Sequence, residues 1–196
     1  IGEWVILSAL TQISQWQSEG LNLPISVNIS AYQLQEDNFT NRLTSLLSSH
    51  PEVNPYCLEL EILETSALND IDKVFATMSA CNELGVRFAL DDFGTGYSSL
   101  TYLRRLPANL IKIDQTFVRD MLEDTEDCAI VEGIIGLAKS FRRDVIAEGV
   151  ETMDHGTVLL QMGCELAQGY GIARPMPAGE IHKWVSNWKA DDYWQA

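Results

Sequence analysis

The sequence predicts an α/β fold with a parallel sheet, and more specifically a TIM-type (β/α) barrel. Apolar segments of strand character alternate with segments of helical periodicity along the 196 residues. This alternation is typical of parallel strands covered by helices. Each strand segment also carries a polar or charged residue towards its C-terminal end. In a closed barrel all strand ends meet at one face, which holds the active site, whereas an open doubly wound sheet brings only a few together.

The predicted elements follow from apolar spacing and from the turn residues between them. A helix is predicted over residues 1–19, because apolar residues recur at helical spacing and Gly20 follows. Strands are predicted at 24–30, 57–63, 88–90, 110–114, 145–150 and 165–170. Further helices are predicted at 33–49, 69–84, 127–141, 155–162 and 179–188, with a short one that carries Leu100 and Leu103 and has Ser98 as its cap.

The composition predicts one globular domain over residues 1–196 and excludes several classes of function. With 28 acidic and 13 basic residues the net charge is −15. Such a surface repels nucleic-acid backbones, so we expect no nucleic-acid partner. No apolar run approaches the roughly 18 residues of a membrane helix, and no signal-peptide pattern opens the chain. We therefore expect a cytoplasmic location, although the parent protein has room for an anchor in regions outside this chain.

The cysteines and histidines are widely scattered, and the sequence assigns none of them to chemistry. No Cys-x-x-Cys pair is present, which removes the usual spacing of a zinc site, and a disulfide framework is not expected in a cytoplasmic domain of this size. We expect buried, reduced thiols at Cys57, Cys81, Cys128 and Cys164. The histidines are His50, His155 and His182.

The polar residues at the predicted strand ends share one chemistry. They are mostly carboxylates and amides, the hard oxygen ligands that suit magnesium or manganese. Adjacent carboxylates can bridge two metal ions about 3.5 to 4 Å apart, which is the arrangement used for phosphoester hydrolysis. An alternative interpretation of Asp91 and Asp92 is a solvated turn. The strand-end residues are Asn28, Glu61, Asp91, Asp92, Lys112, Asp114, Glu148 and Gln168.

Six blocks of this chain, in order and at fitting intervals, resemble the signatures of EAL domains. These domains are bacterial phosphodiesterases that hydrolyse cyclic di-GMP to the linear dinucleotide pGpG. The resemblance covers essentially the whole chain, and its most specific block is Asp91-Asp-Phe-Gly-Thr-Gly-Tyr-Ser-Ser99. The other blocks are Ser26-Val-Asn-Ile-Ser30, Glu61-Ile-Leu-Glu64, Lys112-Ile-Asp114, Ala147-Glu-Gly-Val-Glu-Thr152 and Gln168-Gly-Tyr170.

The resemblance implies a role for each matched residue. Two Mg²⁺ or Mn²⁺ ions are implied, with Ca²⁺ as an inhibitor, and their ligands are Asn28, Glu61, Asp91 and Asp92. The catalytic groups are Lys112, which contacts the nucleophilic water, Glu148, which completes the metal and water shell, and Glu64, which steadies the loop after the two aspartates. The groups at or near the substrate are Asp114, Glu151, Gln168 and Tyr170, with Arg174 and Pro175 at the rim and Gln168 also close to the water shell.

The chain departs from the EAL pattern at two places. Position 63 is Leu where the family usually has a hydroxyl residue, which bears on the support of Glu64. The Glu-x-Leu-x-Arg stretch that names the family does not occur in the chain. We therefore expect an N-terminally incomplete domain, with the last six of eight strand–helix units.

Three functions remain open from the sequence. The first is a metal-dependent cyclic di-GMP phosphodiesterase, and the second is an impaired or inactive EAL domain that binds the nucleotide or a protein partner. The third is an unrelated aldolase-type barrel, for which only Lys112 offers a Schiff-base amine. The resemblance also implies a homodimer through the loop and helix after Asp92, and fusion to sensory or GGDEF domains.

Overall fold

The computed structural model describes residues 2–64, 71–96 and 100–189. These residues form two compact units. The first unit contains the residues up to Asp91 together with Gly96–Asn109, and the second contains Asp92–Thr95 and the residues from Leu110 onwards. The division falls within one strand, between the two adjacent aspartates.

The first unit begins with three helices around its first strand. These are α1 (Gly2–Ser18), β1 (Ile25–Asn28), α2 (Ala31–Leu34) and α3 (Phe39–Ser48). A short 3₁₀ helix at Pro55–Cys57 then leads into β2 (Leu58–Leu63), α4 (Ile71–Glu83), β3 (Arg87–Phe93, whose residues up to Asp91 lie in this unit) and α5 (Leu100–Arg105). Strands β1, β2 and β3 are parallel neighbours in chain order. Their register places Asn28 beside Glu61, and Leu63 beside Asp91.

The second unit repeats the same alternation. Its elements are β4 (Leu110–Ile113), α6 (Gln115–Asp120), α7 (Thr125–Ser140), β5 (Asp144–Glu148), α8 (Met153–Met162), β6 (Leu166–Gln168) and α9 (Ala178–Asn187). Strands β4, β5 and β6 are again parallel neighbours in chain order. Their register places Lys112 beside Ile146, and Glu148 beside Gln168.

Burial explains why these segments are strands of a parallel sheet. All four residues of β4 are buried, and in β2 every residue except Leu63 is buried. Strands that are covered on both faces are typical of parallel sheets. The polar members of these strands are buried as well, which makes their side chains costly unless they have partners or ligands.

The predicted alternation of strands and helices is confirmed, with two local corrections. The helix predicted over 33–49 is two helices, because α2 ends at Leu34 and α3 starts at Phe39 after a polar turn. Helix α6 was missed, because Asp114 ends a strand segment and also accepts a hydrogen bond from the Thr116 amide as the helix cap. The predicted cap Ser98 lies outside the described residues.

The cysteine prediction is half right. All four thiols are free, but only Cys81 and Cys164 are buried, while Cys57 and Cys128 are half-buried. Burial raises the pKa of the Cys81 thiol to about 11 and also raises the pKa of Cys164. Among the described residues, no helix has both the length and the apolar character needed to cross a membrane.

Candidate active site

Oxygen-bearing side chains lie within the last three residues of each strand of the first unit. Asn28 is the last residue of β1 and pairs in register with Glu61 of β2. Glu61 and Asp91 are only 7% and 9% exposed, so two carboxylates are held in a largely buried setting at this edge. Ionised carboxylates in such a setting cost several kcal/mol unless cations or donors compensate them.

Glu64 connects the loop after β2 to strand β3. Its backbone N–H donates a hydrogen bond of 3.0 Å to the carbonyl oxygen of Asp91. The Glu64 side chain is 4% exposed, whereas its neighbour Leu63 is 42% exposed. The structure therefore places Glu64 directly beside the first aspartate, and residues 65–70 of the following loop lie outside the described residues.

Asp92 has an unusual backbone conformation for a strand residue. Its φ is +52°, in the left-handed region that L-residues other than Asn, Asp and Gly seldom adopt. Successive side chains of a regular strand point to opposite faces, and a left-handed residue interrupts that alternation. The direction of the Asp92 side chain therefore does not follow from the regular alternation of the strand.

A buried ion pair lies at the strand ends of the second unit. Lys112 Nζ is 2.8 Å from Glu148 Oε1, and the two side chains are 7% and 15% exposed. Because Lys112 pairs in register with Ile146, Glu148 lies two positions further along β5 and on the same face of that strand. A carboxylate oxygen of Glu148 is also within 4.8 Å of one of Asp92.

The turn after Glu148 requires a glycine. Gly149 has φ +75°, and a Cβ at this position would lie 2.7 Å from Gln115 Cβ and 3.3 Å from the Gln115 carbonyl oxygen. The loop after β5 therefore packs directly against the first turn of α6. Sequence reasoning missed this contact, although a glycine directly after a strand-end carboxylate is a readable signal of close backbone approach.

Asp114 is buried and serves as the cap of α6. Its Oδ1 accepts a hydrogen bond of 2.8 Å from the Thr116 amide and another from the Thr116 hydroxyl. The side chain is 7% exposed, so these donors satisfy a carboxylate that water barely reaches. Its predicted role near the substrate stays a prediction.

The remaining predicted site residues form an exposed rim after β5 and β6. Glu151 and Gln168 are exposed, and Tyr170 is 60% exposed. The guanidinium carbon of Arg174 lies 4.8 Å from the centre of the Tyr170 ring, which is a cation–π contact. The predicted roles of these residues at the substrate stay predictions.

Parallel strands with oxygen-bearing side chains near their C-terminal ends define an α/β protein with carboxylates able to hold a metal ion. The sequence matches the family model described as EAL domain over residues 1–175. The chain belongs to the EAL domain family, which confirms the resemblance inferred from its motifs. EAL phosphodiesterases are metal-dependent, and Asp92 and Glu148 belong to an acidic cluster able to hold a metal ion.

Relatives and solved structures agree with this assignment. A cyclic di-GMP phosphodiesterase of Pseudomonas aeruginosa is 36% identical over 185 residues, which cover 94% of this chain and 31% of that protein. The PaMucR phosphodiesterase in its c-di-GMP complex is 38% identical, with a TM-score of 0.87 over 92% of this chain and 73% of that one. The EAL domain of Mycobacterium smegmatis DcpA is 33% identical, with a TM-score of 0.90 over 97% of this chain and 86% of that one.

These matches confirm the predicted fold class, because the solved EAL domains share the alternating β/α order and parallel strands. The chain spans less than a third of the length of the curated relatives it matches, with 31%, 26% and 28% of three of them covered.

Proposed function

We propose that residues 1–196 belong to one EAL-type domain that hydrolyses cyclic di-GMP to linear pGpG with two Mg²⁺ or Mn²⁺ ions. The observation that carries the proposal is the ion pair between Lys112 and Glu148, with Asp92 within 4.8 Å of the same carboxylate. Burying a lysine beside clustered carboxylates costs desolvation free energy, which a purely structural role does not require. The same lysine supplies a hydrogen-bond donor for a hydrolytic water and a positive charge for a phosphate. Relatives named as cyclic di-GMP phosphodiesterases support the substrate.

The donor set fits a hard divalent cation. Mg²⁺ binds oxygen at about 2.0–2.1 Å, so two oxygens on one ion lie at most about 4.2 Å apart. The upper limit of 4.8 Å between carboxylate oxygens is close to that span. The resemblance to EAL domains assigns Asn28, Glu61, Asp91 and Asp92 as the ligands, and each offers an oxygen within the last three residues of its strand. Bound ions would lower the pKa of a shared water and neutralise phosphate oxygens.

The residues of the chain would then act on that water and on the phosphate. The ammonium of Lys112 holds the water by a hydrogen bond, while Glu148 fixes Lys112 by the 2.8 Å contact. The water oxygen attacks phosphorus, the bond from phosphorus to the 3′ oxygen breaks, and the proton of the water ends on that oxygen. One water is consumed, and the products are a 5′-phosphate and a 3′-hydroxyl. Glu64 supports Asp91 through the hydrogen bond from its amide to the Asp91 carbonyl.

The substrate groups are assigned to the rim and to the start of α6. Tyr170, backed by Arg174, offers a face for a guanine ring. Gln168 pairs in register with Glu148, so its amide lies beside the catalytic carboxylate on the neighbouring strand. Glu151 and Asp114 supply acceptors for guanine N–H groups, which suits a base that carries both an amide-type and an amino donor.

The test is turnover of cyclic di-GMP by the purified protein with Mn²⁺, followed by separation of the nucleotides by chromatography. The expected product is pGpG, with no product when Ca²⁺ replaces Mn²⁺, because Ca²⁺ is larger and less exacting in geometry. Binding without product would favour a nucleotide receptor, a function for which the exposed Leu63 next to Glu64 is a specific observation. The absence of both nucleotide binding and product would refute both functions.

The partners and location follow from the same assignment. We propose a homodimer through the loop and helix after Asp92, for which the 62% exposed Leu100 on α5 offers an apolar contact. Fusion to sensory or GGDEF domains is supported by relatives far longer than this chain, one of them named as a bifunctional diguanylate cyclase and phosphodiesterase. A cytoplasmic location is proposed because the substrate is a bacterial second messenger.

A further inference from the structure

His155 is a buried histidine that the proposed reaction does not use. It lies in the first turn of α8 and is 5% exposed. Its Nδ1 is 2.7 Å from the hydroxyl oxygen of Thr152, the residue that caps α8. Its Nε2 is 3.1 Å from the backbone carbonyl oxygen of Arg119 in α6. The imidazole therefore bridges two different elements of the second unit.

The partners determine which nitrogen carries the proton. A carbonyl oxygen only accepts, so Nε2–H must donate to Arg119, and in the neutral ring Nδ1 then accepts from the Thr152 hydroxyl. Arg119 lies in the last turn of α6, where carbonyl groups have no partner within the helix. The bridge thus satisfies a helix end and fixes it to the start of α8.

A second contact joins α6 to the segment after β5. Gly149 packs against Gln115 in the first turn of α6, and His155 bonds to Arg119 in its last turn. Helix α6 is therefore held at both ends by residues 149–155. In the sequence, Glu151 lies between Gly149 and His155, and Asp114 is the cap of α6.

We infer that His155 is a positioning residue that sets the distance between Asp114 and Glu151, and through them the affinity for the nucleotide. This inference rests on the function proposed above. Lys112 and Glu148 lie within strands, where the sheet register holds them independently of the bridge. Loss of the bridge therefore moves substrate groups and leaves the metal ligands and the catalytic pair in place.

Two amide substitutions separate the two hydrogen bonds of the ring. In His155→Asn the side-chain amide takes the place of Nδ1, so the contact with Thr152 is kept and the bridge to Arg119 is lost. In His155→Gln the amide reaches the place of Nε2, so a donor to Arg119 is kept. Thr157→Val is the matched control. It removes a hydrogen bond of 3.0 Å that the Thr157 hydroxyl donates to the Met153 carbonyl oxygen within α8, and it leaves the His155 bridge intact.

The first measurement uses turnover of cyclic di-GMP with Mn²⁺. For His155→Asn we expect KM to rise roughly three- to tenfold, the effect of one hydrogen bond, with kcat and Mn²⁺ affinity within about twofold of the wild type. His155→Gln and Thr157→Val are expected to keep KM within about twofold. A merely structural role would lower the active fraction, so kcat would fall at constant KM, and that result would overturn the inference.

The second measurement needs no ligand and separates this inference from the proposed function. Amide hydrogen exchange over residues 115–120 is expected to be roughly three- to tenfold faster in His155→Asn than in the wild type, and close to the wild type in His155→Gln. Unchanged exchange in His155→Asn refutes the bridge. A wild type that neither binds nor hydrolyses cyclic di-GMP refutes the proposed function, and the exchange rates still decide whether the bridge holds α6.

Discussion

The close approach between Gly149 and α6 predicts a large cost for one added methyl group. In Gly149→Ala the new Cβ keeps a φ of +75°, which costs an L-residue about 1–2 kcal/mol. The same Cβ would lie 2.7 Å from Gln115 Cβ and 3.1 Å from its Cα, and relief of such an overlap in a packed region costs about 1–3 kcal/mol. The expected loss of unfolding free energy is therefore about 2–5 kcal/mol, a large share of a typical domain's 5–15 kcal/mol.

Two other glycines in the second unit separate these contributions. Gly163 has φ +87° with nothing within 4 Å of its added Cβ, so Gly163→Ala isolates the backbone cost of about 1–2 kcal/mol. Gly133 lies within α7 in open space, so Gly133→Ala is expected to stabilise by about 0.5–1 kcal/mol. The assay is urea unfolding followed by circular dichroism, with midpoints compared at constant slope. A Gly149→Ala variant no less stable than Gly163→Ala would refute the steric argument.

Three further predictions concern the metal site, the dimer and the thiols. Asp91→Asn keeps the shape of the side chain and removes its charge, so turnover should fall by at least about 100-fold with weaker Mn²⁺ binding and an unchanged circular dichroism spectrum; unchanged turnover contradicts the assignment. Leu100→Asp should convert the proposed dimer to a monomer in light scattering, whereas Leu122→Asp, which lies outside the loop and helix after Asp92, should not; a dimer that persists in Leu100→Asp contradicts the proposed contact. At pH 8 a disulfide reagent should modify the half-buried Cys57 and spare Cys81, whose pKa of about 11 leaves almost no thiolate; equal rates contradict it.

The sequence predicts the strands well because each carries a short apolar run that ends in a polar residue. Strand β4, for example, is buried throughout and is followed at once by the polar Asp114. The same pattern led to α6 being missed, because the single residue Asp114 both follows strand β4 and caps helix α6. Helix boundaries at a polar turn, such as the one between α2 and α3, depend on the geometry of the helix caps. The spacing of apolar residues does not predict that geometry.

The candidate site divides in the same way. The residue types at the strand ends indicate oxygen ligands, and the motifs around Asp91 and Lys112 indicate the family. The two-sided hydrogen bonding of His155 depends on contact with Arg119, 36 residues away in sequence, and the φ of Asp92 is a backbone angle that its residue type does not fix. A single sequence records those contacts only as a residue type, so His155 is indistinguishable from any other buried histidine until its partners are known.

The left-handed conformation of Asp92 restricts the amino acid at this position even when no reaction is required. Asn and Gly adopt a φ of +52° as readily as Asp does, whereas Glu adopts it less readily and the β-branched residues least of all. A library randomised at codon 92 and selected only for stable folding should therefore return Asn and Gly ahead of Glu. Selection for stable folding alone would then disfavour Glu at position 92, although Glu is also acidic. The set of residues accepted at this position therefore reflects the backbone conformation as well as the chemistry of the site.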